Sequence, residues 1–198
     1  MPPLRVGDIR GLEDIRLCGN RFTATQQQWS TREGHNQMVV GSWPDLQFVV
    51  VPTDRDCEKN WLPLCDGSFI YQWGPLRRIS ATGELDLEGT SSTPRWHAWL
   101  RGSAPPFRVA DRWLALTHIV TSGFPRRYLS VLVELEGPAG RLLSWSSPFY
   151  FLERGIEYCL SAVCVGDEVH FFVSRLDRET YVVRTPSQTL LRLLDCPP

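Results

Sequence analysis

Lysine is nearly absent from this chain: Lys59 is the single lysine, beside twenty arginines, in 198 residues. A lysine is a compact point charge on a flexible stem, whereas an arginine is a planar fork, so the two are not equivalent at a site that holds an anion or a sugar hydroxyl. Lys59 lies in the stretch C-E-K-N-W-L-P-L and is therefore a candidate binding residue. The alternative is an ordinary exposed lysine at the end of a strand, since most lysines are exposed.

Long apolar runs and an excess of charge are absent as well. No apolar stretch approaches the roughly 20 residues that span a bilayer, and the N-terminus lacks the apolar core of a signal peptide. The net charge is -1 and the arginines are scattered, so there is no basic patch for nucleic acid or for an anionic membrane. We expect a soluble, cytoplasmic protein without a nucleic acid or membrane partner, and the sequence leaves its oligomeric state open.

The cysteines lack the spacing of a metal site. The chain contains 6 of them, but no C-x-x-C pair and no zinc-binding pattern. We therefore expect no metal centre, and we expect most of the cysteines to be buried thiols in a reducing compartment.

Helical periodicity is missing, and this absence predicts the fold class. The apolar stretches are short, rich in Val, Phe, Trp and Tyr, and bounded by Gly, Pro, Asp or Asn, which predicts an all-β fold. A small or acidic turn followed by a β-rich run recurs at intervals of about 45 residues, which is the size of a propeller blade of four antiparallel strands. The turn residues are Asn20, Asp66, Asp111 and, after a longer gap, Asp167.

These repeats predict one β-propeller domain over residues 1–198, with about four of five blades present. The predicted blades cover approximately 11–53, 57–90, 95–150 and 155–195. Within them, the first strand of the third blade is predicted at 96–101 and the last strand of the fourth at 190–194.

Five motifs follow one another at blade spacing between residues 11 and 185. They are G-L-E-D-I-R-L at 11–17, K-N-W-L-P-L at 59–64, R-G-S-A-P-P and R-W-L-A-L-T-H within 101–118, Y-L-S-V-L-V-E-L-E at 128–136, and S-R-L-D at 174–177. In this order they resemble the motifs of glycoside hydrolase family 130, the five-bladed β-propeller glycosidases and phosphorylases that act on β-mannosides. The resemblance implies a propeller from which about one N-terminal blade is missing.

Three carboxylates are candidate catalytic residues. Cleavage of a glycosidic bond requires a proton for the leaving oxygen, and an inverting enzyme needs a second group on the opposite face of the ring. Because neighbours in a strand face opposite sides, only one of Glu13 and Asp14 can face the centre. The resemblance makes Asp14 the acid and leaves Glu157 and Asp177 as the facing carboxylates. Surface or strand-end ion pairs, such as Asp14 with Arg16, are the alternative for all three.

Four potential cations come from three of the predicted blades: Arg16, Lys59, Arg101 and His118. Together with the amide of Asn60, they would hold a phosphate or a carboxylate by charge-assisted hydrogen bonds. In the phosphorylases of the family, the matching positions bind inorganic phosphate, which is the attacking nucleophile. The resemblance also adds Tyr128 to the substrate-binding set. For His118, at the end of an apolar strand, a hydrogen-bonded core histidine is the alternative.

Two tryptophans, Trp61 and Trp96, are candidate platforms for a sugar ring, although large aromatic residues more often serve burial. The sequence and the resemblance together predict a carbohydrate-active propeller that acts on β-linked mannosides or related oligosaccharides, as a glycosidase or a glycoside phosphorylase. It would need no resident cofactor, and a phosphorylase would use inorganic phosphate as co-substrate. The alternative is a non-catalytic propeller that binds glycans or proteins, for instance beside a glycosyltransferase, because function depends on the site rather than the fold.

Overall fold

A computed structural model of the chain describes residues 12–26, 36–43, 47–50, 58–80, 82, 84–86, 94–137 and 141–195. These residues form a β-rich fold with four antiparallel sheets, which follow one another along the sequence. A short 3-10 helix and one α-helix complete the described segments. Each sheet lies inside one of the segments predicted as blades, whereas the number of blades and their closure into a propeller stay predictions.

The first two sheets have four strands each, paired in sequence order. The first sheet contains β1 (Glu13–Cys18), β2 (Arg21–Gln26), β3 (Gln37–Ser42) and β4 (Gln47–Val50). The second contains β5 (Leu62–Pro63), β6 (Phe69–Trp73), β7 (Leu76–Ile79) and β8 (Leu85–Asp86). In the turn between β5 and β6, Gly67 adopts a φ of 90°, a conformation that glycine reaches without steric cost.

The third sheet corrects one predicted strand. Residues 95–99 form a 3-10 helix (Arg95–Trp99) instead of a strand, and the first strand of the sheet is divided into β9 (Arg101–Gly102) and β10 (Phe107–Val109). Pro105 and Pro106 separate the two pieces, because proline has no N–H to donate to the neighbouring strand. The sheet continues with β11 (Arg112–Val120), β12 (Tyr128–Leu135) and β13 (Leu142–Trp145).

The fourth sheet corrects a second predicted strand. It has three strands, β14 (Glu157–Val165), β15 (Glu168–Arg175) and β16 (Glu179–Pro186). The segment predicted as its fourth strand is instead the helix α1 (Ser187–Asp195). Leu190 and Leu194 of this helix are buried, and residues four apart lie on the same face of a helix. The apolar residues of the run L-L-R-L-L therefore lie on one face of a helix that packs against the core. The prediction of a strand for this run was wrong.

Consecutive sheets pack face to face through apolar side chains. Met38 and Val40 of the first sheet contact Phe69 and Ile79 of the second, together with Trp61 just before β5. In the third sheet, successive side chains of β11 point to opposite faces, as expected for a strand, so that they pack against different neighbouring sheets. Ala115 packs on the side of the second sheet, while Leu114 and Leu116 pack with the fourth sheet and α1.

The first strands of the sheets meet one another. Strand β1 contacts β5 and β14, and β10 contacts β14. Side chains at the beginnings of these strands are therefore brought together although they are far apart in the sequence.

Two of the described cysteines are paired, which corrects the expectation of thiols for them. Cys18, at the end of β1, and Cys65, in the turn after β5, form a disulfide with their Cα atoms 5.7 Å apart. Cys159 and Cys164 are thiols, and burial raises the pKa of Cys159 to about 12. In the described segments, no helix is both long and apolar enough to cross a membrane. The same segments contain no group of three or more His, Cys, Asp or Glu side chains that could hold a metal ion.

Replacing both Cys18 and Cys65 by serine should lower the free energy of unfolding by about 2–4 kcal/mol, because the bond restrains an unfolded chain over a separation of 47 residues. Urea denaturation without reductant measures the difference, with Cys164→Ser as the matched control. An unfolding midpoint that is the same in the double variant and in the unmodified protein would contradict the disulfide.

Candidate functional site

The buried side chain of Arg16, on β1, joins four segments of the chain. Its Nε donates a hydrogen bond to the carbonyl oxygen of Ser103 at 2.9 Å, and Nη1 donates to the carbonyl oxygen of Asp14 at 2.8 Å. Nη2 donates to Oδ1 of Asn60 at 2.9 Å, and the guanidinium lies 5.4 Å from the centre of the Tyr158 ring. These partners come from β1, from the segments next to β5 and β9, and from β14. One cation thus touches parts of all four sheets or their entry segments.

Arg16 remains charged in this environment. Burial lowers its pKa to about 10, and the charge of Asp14 acts in the opposite direction. A pKa of about 10 still leaves the guanidinium protonated at neutral pH. The carboxylate of Asp14 lies 3.8 Å from Nη2 of Arg16, so the predicted ion pair is present and lies at the edge of the network.

Asn60 connects this network to its surroundings. Its Oδ1 accepts a second hydrogen bond, from the hydroxyl of Tyr158 at 2.9 Å. Asn60 has a φ of 64°, a left-handed conformation that asparagine tolerates better than most residues. Gly102 passes so close that a Cβ at its position would clash with the carbonyl oxygen of Asn60 and the side chain of Leu62. A glycine is therefore required for the backbones of these two segments to approach each other.

His118, on β11, is a neutral member of the site. Its Nδ1 shares a hydrogen bond of 2.8 Å with the hydroxyl of Ser103, and its ring stacks on Tyr128 with the ring centres 5.3 Å apart. Burial, with smaller contributions from the charges of Arg16 and Arg101, lowers the pKa of His118 to about 3. The predicted cation is therefore an uncharged ring at neutral pH, in agreement with the alternative of a hydrogen-bonded core histidine.

A cleft of about 490 Å³ opens beside Asn60. It is lined by Glu58, Lys59, Asn60, Tyr71, Gln72, Ala98, Leu100 and Arg101. The predicted binding residues Lys59 and Arg101 are exposed side chains of this lining. Asn60 both lines the cleft and accepts a hydrogen bond from Arg16, so the buried network of hydrogen bonds reaches the wall of the cleft.

Glu58 is a cleft residue that the sequence analysis did not select. It is 4% exposed, and its carboxylate accepts hydrogen bonds from the indole N–H of Trp61 at 3.1 Å and from the hydroxyl of Tyr71 at 3.2 Å. Its position directly before Lys59 and Asn60 was the available signal. Tyr158 was also missed, because an aromatic residue at the start of a strand is usually part of the core.

Asp14 occupies an irregular position in β1. The pairing register between β1 and β2 shifts between Glu13 and Arg16, and Asp14 has a φ of 53°. The simple alternation of side chains that was expected for Glu13 and Asp14 therefore does not hold here. A positive φ is uncommon outside glycine, and such residues often occur at functional sites. The side chain of Asp14 is 38% exposed, so it is accessible to a ligand.

None of the three predicted carboxylates, Asp14 included, is among the residues that line the cleft. Glu157 is buried, and its oxygens accept hydrogen bonds from three backbone N–H groups, those of Phe151 at 2.8 Å, Leu152 at 2.9 Å and Glu153 at 2.6 Å. Asp177 is exposed in the turn between β15 and β16, with a φ of 54°. Their catalytic roles stay predictions, and the contacts of Glu157 are those of a residue that fixes a loop.

The two tryptophans predicted as sugar platforms are packing residues. Trp61 is 1% exposed and lies edge-on to Tyr71, with the ring centres 5.3 Å apart. Trp96 packs against His97 and Trp145 at 4.3 and 6.0 Å. The buried ring of Trp61 has no open face for a sugar.

Replacing Arg16 by lysine should lower the free energy of unfolding by about 2–3 kcal/mol, since an ammonium group cannot reach three acceptors in different directions. The matched control is Arg184→Lys at an exposed position of β16, where the change should stay within about 0.5 kcal/mol. Chemical denaturation of both variants gives the comparison. Equal, small losses would show that the three hydrogen bonds of Arg16 contribute nothing specific.

The low pKa of His118 predicts a pH dependence of stability. Between pH 6.5 and about 3, the unfolded chain binds a proton at His118 that the folded chain does not, so stability falls as the pH falls. His118→Gln removes this contribution. The difference in the free energy of unfolding between the unmodified protein and the variant should therefore shrink by about 2–3 kcal/mol from pH 7 to pH 4.5. A difference that is constant across this range would contradict a neutral, buried His118.

Among solved structures, the fold is similar to that of a β-1,2-mannobiose phosphorylase from Listeria innocua, in complex with β-1,2-mannobiose. The TM-score is 0.61 at 14% sequence identity, and the match covers 93% of this chain and 61% of that one. The chain thus spans less than two thirds of the length of this neighbour, and at such identity the likeness concerns the fold alone. No protein-family profile matches the sequence, and no curated protein matches it either. The chain has a fold like that of a mannoside phosphorylase, which agrees with the resemblance to glycoside hydrolase family 130.

Proposed function

We propose that the chain forms part of a β-propeller, binds a β-linked mannoside or a related oligosaccharide in the cleft beside Asn60, and cleaves its glycosidic bond. The observation that carries the proposal is the convergence around Arg16. Asp14 from β1, Asn60 from the segment before β5 and Tyr158 from β14 surround this one cation, and of these residues Asn60 also lines the open polar cleft. The likeness of the fold to a mannobiose phosphorylase supports the choice of sugar.

The cleft has the chemistry of a sugar site. Its volume of about 490 Å³ lies in the range of small-molecule pockets. The amide of Gln72, the hydroxyl of Tyr71 and the charged groups at the rim offer both donors and acceptors for sugar hydroxyls. Ala98 and Leu100 supply an apolar wall for the C–H surface of a ring. In this proposal, Asp14 gives its proton to the leaving oxygen, while Arg16, itself bonded to Asn60, holds the backbone carbonyl of Asp14 in place.

Phosphorolysis is the form of the reaction that the charges favour. Lys59 and Arg101 are exposed at the cleft, and Arg16 adds a third positive charge behind it. Such groups hold phosphate by charge-assisted hydrogen bonds. A phosphate oxygen would then attack the anomeric carbon, the bond to the leaving oxygen would break, and the proton of Asp14 would complete the leaving alcohol. Because phosphate is itself the nucleophile, this route needs one catalytic carboxylate.

A second candidate function is glycan binding without catalysis. It is favoured by the positions of Glu157, whose oxygens accept three backbone hydrogen bonds, and of Asp177, which lies in an exposed turn. Hydrolysis by inversion requires a second carboxylate across the ring from the acid. In this alternative, the cleft would bind the oligosaccharide and leave it intact.

Incubation with β-1,2-mannobiose and other β-linked mannosides, with and without inorganic phosphate, tests the proposal. We expect a sugar 1-phosphate that forms only when phosphate is present. Asp14→Asn should lower the turnover by about 100- to 10,000-fold, as is typical for loss of a general acid, and Asp111→Asn, in an exposed turn, should leave it unchanged. Undiminished turnover of Asp14→Asn would remove Asp14 from the mechanism. Calorimetric binding without any product would favour the second candidate.

A further inference from the structure

Trp99 is the most exposed of the tryptophans in the described segments, and it lies beside the cleft. The side chain is 68% exposed, compared with 51% for Trp43, the next in order. Trp99 is the last residue of the 3-10 helix, and its neighbours on both sides, Ala98 and Leu100, line the cleft. The following residue, Arg101, lines it as well. A large aromatic side chain is thus presented to solvent between two residues that line the candidate sugar site, and Trp99 itself lies outside that lining.

The backbone under Trp99 is held rigidly by packing. His97 is fully buried, and its ring lies edge-on to the rings of Trp96 at 4.3 Å and Trp145 at 4.4 Å. On the other side, a Cβ at Gly74 would lie only 2.5 Å from the backbone nitrogen of Ala98, so the turn between β6 and β7 rests directly on the helix. A ring on such a support loses little conformational freedom when a ligand covers it.

The surroundings of Trp99 select a sugar as the occupant. An indole ring gains free energy when an apolar surface covers it, and a pyranose offers such a surface on its C–H face while its hydroxyls point to the edge. Polar groups for the hydroxyls are available in the cleft lining, in Gln72, Lys59 and Arg101. Trp61 and Trp96, the tryptophans predicted for this task, are occupied by internal packing.

We propose that Trp99 forms a stacking subsite for a further sugar ring outside the cleft, so that the protein binds tetrasaccharides more tightly than disaccharides. The inference rests on the proposed function, since it assumes that a β-linked mannoside occupies the cleft. A disaccharide is held by the cleft residues, whereas a longer chain leaves the cleft over the 3-10 helix and covers the ring of Trp99.

The test compares the binding of β-linked mannobiose and mannotetraose by calorimetry to the unmodified protein, Trp99→Ala, Trp99→Phe and Trp43→Ala. Trp43 is the matched control, because it is also an exposed tryptophan. The backbone N–H of Trp43 donates a hydrogen bond to the carbonyl oxygen of Asn20. Asn20 follows the C-terminal end of β1, whereas Asp14 lies at its N-terminal end. We expect Trp99→Ala to weaken mannotetraose binding about tenfold, in keeping with the loss of one aromatic contact, and to leave mannobiose binding unchanged. Trp99→Phe should retain most of the affinity, and Trp43→Ala all of it.

Fluorescence provides an independent readout. Mannotetraose should shift the tryptophan emission of the unmodified protein to shorter wavelength, since it removes water from the exposed indole, and this shift should vanish in Trp99→Phe. If mannobiose binds normally but Trp99→Ala weakens neither sugar, or weakens both equally, the subsite is refuted and the proposed function remains. If the unmodified protein binds neither sugar, the proposed function fails, and the subsite fails with it.

Discussion

The buried guanidinium of Arg16 is the interaction on which the geometry of the site depends. Removing a charge from water is costly unless hydrogen bonds and nearby charges compensate for the loss. Here three oxygen acceptors, from Asp14, Asn60 and Ser103, and the face of the Tyr158 ring provide this compensation. Because each acceptor belongs to a different part of the chain, the cation is satisfied only when those parts have taken their native positions. The same constraint that stabilises the fold therefore also assembles the cleft.

The positive charges of the site are divided between a buried group, Arg16, and exposed groups at the cleft. His118 remains neutral because it is buried near Arg16 and Arg101, so the interior holds one positive charge where the sequence had indicated two. The remaining positive groups, Lys59 and Arg101, are exposed at the cleft and can turn toward a ligand. An anion or an electron-rich sugar oxygen would thus contact the exposed Lys59 and Arg101 first, with the buried Arg16 behind them. The carboxylate of Glu58 is held by hydrogen bonds from Trp61 and Tyr71.

Much of the fold could be predicted from the sequence, because alternation of apolar residues and turn chemistry act locally. The β-rich class and the positions of most strands follow from these signals. The prediction failed at Leu190 and Leu194, where four apolar residues fit the period of either a strand or a helix, and at 96–101, where most of the predicted strand is a 3-10 helix. The pairing of Cys18 with Cys65 could not be deduced, since six cysteines allow many connectivities.

The site was harder to predict, for a physical reason. The sequence indicates which groups can ionise, but burial and backbone contacts decide what they do. The catalytic role of Glu157 stays a prediction, but the partners of its carboxylate are backbone N–H groups, which no side-chain pattern reveals. His118 looked like a cation until its burial was known. In contrast, Asp14, Arg16 and Asn60 were selected by short motifs, and the structure brings them together.

A crystal structure of the protein with β-1,2-mannobiose and inorganic phosphate tests the central claim most directly. We expect the disaccharide in the cleft, with its glycosidic oxygen within hydrogen-bond distance of the carboxylate of Asp14 and the phosphate between Lys59 and Arg101. Arg16 should keep its hydrogen bond to Asn60 in that complex. A disaccharide bound elsewhere on the surface, or an empty cleft at saturating sugar, would contradict the account.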